Sequence, residues 1–345
     1  MPHDGIRTLK VIDMHAAGDV SRILLDGVPP IPGQSLLEQV RFLEREADGL
    51  RRLLLSEPYG DPSMSLDLVV PPQSPDAEAG VLIMEAMGYP AFSGSNAICT
   101  VTALLESGHL PMTEGERLVQ LDCPAGLVNL AAQCRGGRVE AVTYEAVPAY
   151  VAARNLSIEL PGQGVLAFDL VWSGVFYAVI DAAEFGIPLN QEDMPSLATL
   201  GAAVIEAARP NLPLRYPELG DMGQLSFVHF AGPLEAAGPG LWQSRTTSYV
   251  HPGVICRSPT GTGTSARLAL HAEKGELRQG DTLETMSPFG TRFRGRLLEA
   301  GPVGHKRGFG TAITGQPRCI GRGEIVLDLG DPLVQAAGLS ALFDG

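Results

Sequence analysis

Short runs in which apolar and polar residues alternate recur along almost the whole chain, broken by glycine and proline, and they predict many short strands. Residues 7–13 (RTLKVID) open the series and residues 22–25 follow. Over residues 35–55 the period changes: Leu37, Val40, Leu43, Leu50 and Leu54 recur near three and four, which predicts one helix. Ser35, three residues before Glu38, is placed to form a capping box at its start. Alternation returns in residues 66–70, 79–84, 117–121, 126–131 and 139–147. The second half has the same texture, with strand-like runs at 164–172, 175–180, 225–231, 246–250, 282–286, 293–298 and 323–329 and a helical run at 196–208.

Composition narrows the class. The 345 residues suffice for two ordinary domains. Hydrophobic residues make up 45% and charged residues 19%, as in a globular chain rather than a disordered one. A formal net charge of -14 without a basic stripe would repel phosphate backbones, so nucleic acid is not an expected partner. No apolar run has membrane-spanning length and the first residues carry no signal-like segment, so no membrane is expected and the cytoplasm is the default location. The five cysteines (Cys99, Cys123, Cys134, Cys256, Cys319) are widely spaced and form no zinc pattern, so no metal is expected.

Two segments repeat one another. Ser93-Gly94-Ser95-Asn96-Ala97 runs into ICTVTALLESG, and Thr260-Gly261-Thr262-Gly263-Thr264 runs into SARLALHAEKG. Each opens hydroxyl–Gly–hydroxyl, carries a helical stretch, and places a glutamate (Glu106, Glu273) and a glycine (Gly108, Gly275) at matching distances. A glycine-rich turn entering a helix leaves backbone N–H groups unpaired, and the helix dipole adds to their pull on a carboxylate or an enolate-like intermediate. Taken singly, Ser93 and Thr260 could be ordinary helix caps; the matched pair favours a functional role. Neither segment ends in Gly-Lys-Ser/Thr, which excludes a Walker-type phosphate loop.

These residues resemble the proline racemase superfamily. Phe92-Ser93-Gly94-Ser95 is similar to its M-C-G-H signature, and the stretch from Cys256 through Thr264 to its D-R-S-P-C-G-T-G-T. The resemblance continues in Asp13, His15, Gly18 and Arg22, in Arg51-Arg52 with Glu57-Pro58, in Pro124-Ala125-Gly126, in GVFY from Gly174, and in Gly290-Thr291-Arg292-Phe293. It implies an α+β fold of two pseudo-symmetric halves, each a curved, mostly antiparallel sheet around a central helix, as in diaminopimelate epimerase. The active-site cleft would lie between the halves, with no cofactor and a proline-like small carboxylate as ligand; a homodimer is common for this scaffold. The repeat places the halves at residues 1–130 with 320–345, and 131–319. In the family's racemases and 4-hydroxyproline epimerases two cysteines work on opposite faces of the α-carbon. Its trans-3-hydroxy-L-proline dehydratases keep the first cysteine and carry threonine at the second position.

The chain departs from that pattern where the chemistry is done. Ser93 replaces the first cysteine, Thr260 the second, Ser95 the histidine and Cys256 the aspartate that serves the ring nitrogen. A thiol can be lowered to a thiolate at a helix N-terminus, whereas a serine needs an adjacent base. No neighbour in sequence supplies one, although His15 could approach in space. Loss of the aspartate removes the partner of a cationic amine, unless Asp61 or another acid replaces it. Two-base racemisation is therefore not expected. The leading expectation is a lyase resembling the dehydratase, with Ser93 accepting the α-proton, Thr260 assisting the departing hydroxyl, and Gly94, Ser95, Cys256, Gly261 and Thr262 binding substrate. The alternative is a family member with none of these activities, acting on another small carboxylate or only binding a ligand.

Overall fold

The computed structural model describes residues 5–162, 164–217, 220–221 and 224–343, so the extreme ends of the expected first half, 1–4 and 344–345, lie outside the described residues. The chain forms two compact units, Met1–Val142 with Gln316–Gly345, and Thr143–Gly315. The first boundary falls inside a strand, Arg138–Leu160, rather than near residue 130.

In the first unit the expected opening strand is Ile6–Ala16, antiparallel to both Asp19–Asp26 and Pro317–Asp328. The sheet continues through Ser65–Val70, Ala79–Met84, Gly115–Cys123 and Gly126–Arg135. The single helix expected over 35–55 is two, α1 (Leu36–Glu46) and α2 (Gly49–Leu54). Ser35 does cap α1, accepting from the Glu38 amide at 3.2 Å, but the Glu38 carboxylate accepts from Gln34, one residue earlier than a capping box requires. The break has a tertiary cause. Asp48 accepts from Arg51 through both oxygens (2.7 and 2.8 Å) and from the Tyr89 hydroxyl (2.9 Å). A Cβ on Gly49 would lie 2.3 Å from the Ala337 carbonyl, so only glycine lets the chain pass there.

Helix α3 (Gly94–Glu106) lies on the other face of this sheet. It touches strands from Pro317–Asp328 at one end of the order to Gly126–Arg135 at the other, so the sheet curves around it. Eleven of its 13 residues are buried, including the polar Asn96, Thr100 and Thr102. Leu43, Leu50 and Leu54 of α1 and α2 pack against Leu9, Leu24, Leu66 and Leu82 on the opposite face.

The second unit repeats the plan. Its strands run Arg138–Leu160, Gly164–Trp172, Phe176–Asp181, Phe227–Ala231, Leu241–Val250, Thr282–Met286, Arg292–Val303 and Lys306–Gly315, and the last pairs with the first, closing the sheet on itself. The strand expected over 139–147 extends to Leu160 because bulges between Val151 and Leu156 absorb a stretch where alternation fails. Helix α4 (Met194–Ala208) packs Leu197, Val204 and Ile205 against Trp172, Phe230 and Tyr249 in the core outside the closed sheet. Helix α5 (Gly261–Glu273) is enclosed, with 12 of 13 residues buried. The duplicated segments are therefore the central helices of two α+β halves. No helix among the described residues is long and apolar enough to cross a membrane.

Candidate active site

In the first unit Ser93 precedes α3 with extended backbone angles, φ -143° and ψ 125°, as an N-cap should. Its side chain nevertheless makes no cap hydrogen bond. The hydroxyl instead lies near the carboxylate of Glu85 and favours its ionised form. Glu85 follows the strand Ala79–Met84 and is held by a tight turn, its amide donating to the Gly88 carbonyl at 2.8 Å. Arg51 Nη1 donates to the Glu85 carbonyl at 3.1 Å. The Glu85 carboxylate accepts from Asn96 Nδ2 at 3.1 Å, and the Asn96 oxygen accepts from both Ser21 and Ser65 at 2.7 Å. Both ends of the Asn96 amide are thereby spoken for, which fixes its orientation.

Burial, and then the nearby Asp19 charge, raise the Glu85 carboxyl from 4.5 to about 7, against the opposing hydrogen bonds from Ser93 and Asn96. A carboxyl with that midpoint is both a competent acceptor and a competent donor near neutral pH. Asp67, fully buried and bonded to Thr100 Oγ1 at 3.0 Å, is pushed well above the ordinary carboxylate range by burial. The nearby Glu85 charge adds to that shift.

In the second unit Thr260 precedes α5 with φ +60° and ψ 128°, a left-handed φ that a β-branched residue adopts only under constraint. The constraints are visible. The Thr260 amide donates to Ser258 Oγ at 3.0 Å, and its carbonyl accepts from the amide and hydroxyl of Thr264 at 2.9 and 2.8 Å. Its own hydroxyl makes no cap bond and lies 3.1 Å from Ser248 Oγ, which is 2.8 Å from His229 Nδ1. The result is a buried Thr–Ser–His chain. A Cβ on Gly263 would fall 2.1 Å from Thr260 Oγ1 and 2.5 Å from His229 Cε1, so this glycine makes room for the chain. Burial, with Arg267 adding to it, lowers His229 to about 3, so the ring is neutral at working pH.

Both caps thus turn their hydroxyls away from the helix. The intrahelical ladders begin with Ala97 N–H to Ser93 and Thr264 N–H to Thr260, so the amides of Gly94, Ser95 and Asn96, and of Gly261, Thr262 and Gly263, precede them. Ser95 is half-buried in the first turn of α3. The Thr262 hydroxyl is 2.7 Å from that of Tyr177, and its carbonyl accepts from Ser173 at 2.8 Å. Cys256 is half-buried and joins the same cluster through its backbone, its amide donating to the Ser248 carbonyl at 2.9 Å.

Two further residues considered from sequence make local bonds of their own. His15 accepts from the Gly18 amide at 3.2 Å through Nδ1, closing its own turn, and burial lowers its pKa. Asp61 is exposed and caps Ser63 at 2.8 Å. Glu85, Asn96, Ser248 and His229 were not singled out by sequence, since none occupies an equivalent place in both repeats. No group of His, Cys, Asp and Glu among the described residues could hold a metal ion.

The comparisons with known proteins agree with this architecture. The profile of the proline racemase family matches residues 11–338. A Chromohalobacter salexigens protein is 48% identical over 332 residues, spanning 96% of this chain and 92% of its own. 4-Hydroxyproline 2-epimerase 1 of Rhizobium rhizogenes is 36% identical over 336 residues, spanning 97% and 96%. The crystal structure of a hydroxyproline epimerase from Agrobacterium vitis, with bound trans-4-hydroxy-L-proline, is 32% identical and superposes with a TM-score of 0.90 over 95% of this chain and 94% of that one. Profile, identity and fold all cover nearly the full length, and this chain belongs to the proline racemase family.

Proposed function

We propose that the protein is a lyase-type member of the family, removing the α-proton of a small hydroxy-carboxylate and expelling its hydroxyl as water. Trans-3-hydroxy-L-proline is the first substrate to test. Ser93 takes the α-proton and Thr260 donates to the departing oxygen. The first-turn amides about Gly94, Ser95, Gly261 and Thr262 hold the carboxylate, with Cys256 lining the substrate site. The scheme needs no metal or organic cofactor.

The observation that carries this reading is the polarity of the Thr260 chain. His229 Nε2 is buried without a hydrogen-bond partner. An orphaned buried N–H is costlier than a bare ring lone pair, so the ring proton belongs on Nδ1. Nδ1–H then donates to Ser248, Ser248 donates to Thr260, and the Thr260 proton is left to be donated outward. A hydroxyl so fed is a proton donor and a poor base, which suits a departing hydroxyl and not proton removal from a second face.

A second reading is favoured by Cys256 and Ser95, which stand where the family's usual pattern has aspartate and histidine. With no carboxylate at position 256, a substrate without a cationic ring nitrogen would fit better. Proton NMR in deuterated water with trans-3-hydroxy-L-proline and trans-4-hydroxy-L-proline separates the readings. Loss of the 3-hydroxy compound supports the lyase. Deuterium uptake at the α-carbon without elimination would replace it with an epimerase, and inertness of both compounds favours another small carboxylate.

A further inference from the structure

The mechanism above leaves Ser93 without a stated destination for its proton, and an unassisted serine oxygen is too weak a base for an α-proton. The Glu85 carboxylate lies beside that hydroxyl, held at 3.1 Å by Asn96 Nδ2 in the first turn of the helix that Ser93 caps. Three features of the contact exceed what a structural hydrogen bond requires. Ser93 occupies an N-cap, where its side chain would ordinarily accept from the helix amides, and it does not do so. The carboxylate is aimed by Asn96, itself locked by Ser21 and Ser65, so the pair is held rather than merely adjacent. Finally, a buried carboxylate placed near the Asp19 charge is a costly arrangement, and such costs collect at functional sites.

We propose that Glu85 is the proton acceptor behind Ser93: the serine oxygen removes the α-proton of the substrate while the serine hydroxyl proton passes to the Glu85 carboxylate. This rests on the lyase reading for the identity of the reacting carbon, but not for the pairing itself. The step balances. The substrate C–H bond breaks and its electron pair stays on the substrate. One O–H bond forms on Ser93 as another breaks, and a new O–H bond forms on Glu85. The retained pair expels the hydroxyl, which leaves as water with the Thr260 proton; Glu85 then returns its proton to solvent, from which Thr260 is refilled. Serine in this arrangement does what the family's first cysteine does, with the basicity supplied by its neighbour. Because Glu85 acts through Ser93, it is a positioning residue and not one that touches substrate.

The groups facing the carboxylate are Ser93 and Asn96 from α3, Asp19 from the strand Asp19–Asp26 and Asp67 from Ser65–Val70, while Arg51 reaches the Glu85 carbonyl. The test uses the full chain and two readouts. Infrared difference spectra across the pH range follow protonated carboxyls in the wild type, Glu85→Gln and Ser93→Ala. The expected result is a carboxyl that loses its proton near neutral pH, is absent from Glu85→Gln, and titrates higher in Ser93→Ala, because the serine's hydrogen bond favours the ionised form. A neutral-range signal that survives Glu85→Gln, or one that Ser93→Ala leaves in place, would overturn the pairing.

The second readout is turnover of trans-3-hydroxy-L-proline against pH. Glu85→Gln should lower kcat by about 10²- to 10⁴-fold with little change in KM and abolish the acid limb of the profile, and Glu85→Asp should restore part of both. Full turnover with an unaltered limb in Glu85→Gln would also overturn the inference. An inert wild type whose carboxyl nonetheless titrates as described would sink the lyase reading and support the Ser93–Glu85 pair.

Discussion

Replacing Glu85 with glutamine should stabilise the folded protein at neutral and alkaline pH and leave it nearly unchanged in acid. Below the ordinary glutamate midpoint of 4.5 the carboxyl is protonated in both folded and unfolded chains, so it contributes no difference. As pH rises, the unfolded chain ionises first while the folded chain keeps its proton. The folded state then binds more protons than the unfolded one, and stability falls until the folded midpoint near 7 is passed. Holding the midpoint at about 7 instead of 4.5 costs the folded protein about 3 kcal/mol once both forms are ionised. Glutamine removes that cost. It keeps an oxygen for Asn96 Nδ2 and can offer an N–H to the Ser93 oxygen, so the network survives. Urea unfolding at a series of pH values measures the effect. With a slope on the order of 3 kcal/mol/M, the midpoint gap between variant and wild type should open by about 1 M between roughly pH 4 and pH 8. Parallel midpoints across that range would refute the claim that burial and Asp19 strain this carboxyl. Such a gain in stability at the expense of activity is what a functional carboxylate in an unfavourable place should produce.

Asp67→Asn should likewise gain stability as pH rises above the acid range, since the fully buried aspartate is held neutral and bonds only Thr100 through one oxygen; a pH-independent effect in the same unfolding series would contradict this. Thr260→Gly should relieve the left-handed backbone by about 1 kcal/mol while abolishing turnover, whereas Thr260→Ser should keep most of the activity, and calorimetry beside the NMR assay separates strain from chemistry. Gly263→Ala should cost about 1–3 kcal/mol and uncouple Thr260 from Ser248, because the new methyl would occupy the space of Thr260 Oγ1 and the His229 ring. Cys99 and Cys123, buried and with thiols pushed up by burial, should resist iodoacetamide in the native protein while Cys256 and Cys319 label first, as peptide mass spectrometry would show.

Much of this protein can be read from local pattern, because helices and strands are written in periods of a few residues. The alternating runs locate most of the strands, and the repeated hydroxyl–Gly–hydroxyl segments locate both central helices and the residues at their heads. The strand Lys306–Gly315, with its three glycines, has too weak an alternation to be seen, although it closes the second sheet. The helix over residues 35–55 is broken by Asp48 and by the approach of Ala337, a residue far away in sequence.

The chemistry divides in the same way. The short motifs alone make Ser93 and Thr260 equivalent heads of a repeat, and by resemblance set them where the family's racemases have cysteines. They say nothing of what either hydroxyl touches. Glu85 meets Ser93 because the turn after Ala79–Met84 ends beside the head of α3, and Ser248 and His229 meet Thr260 because two paired strands run past the head of α5. Those meetings depend on sheet register and helix placement, which non-local packing decides. Only the tertiary structure, therefore, turns two lost thiols into a serine backed by a carboxylate and a threonine fed by a neutral histidine.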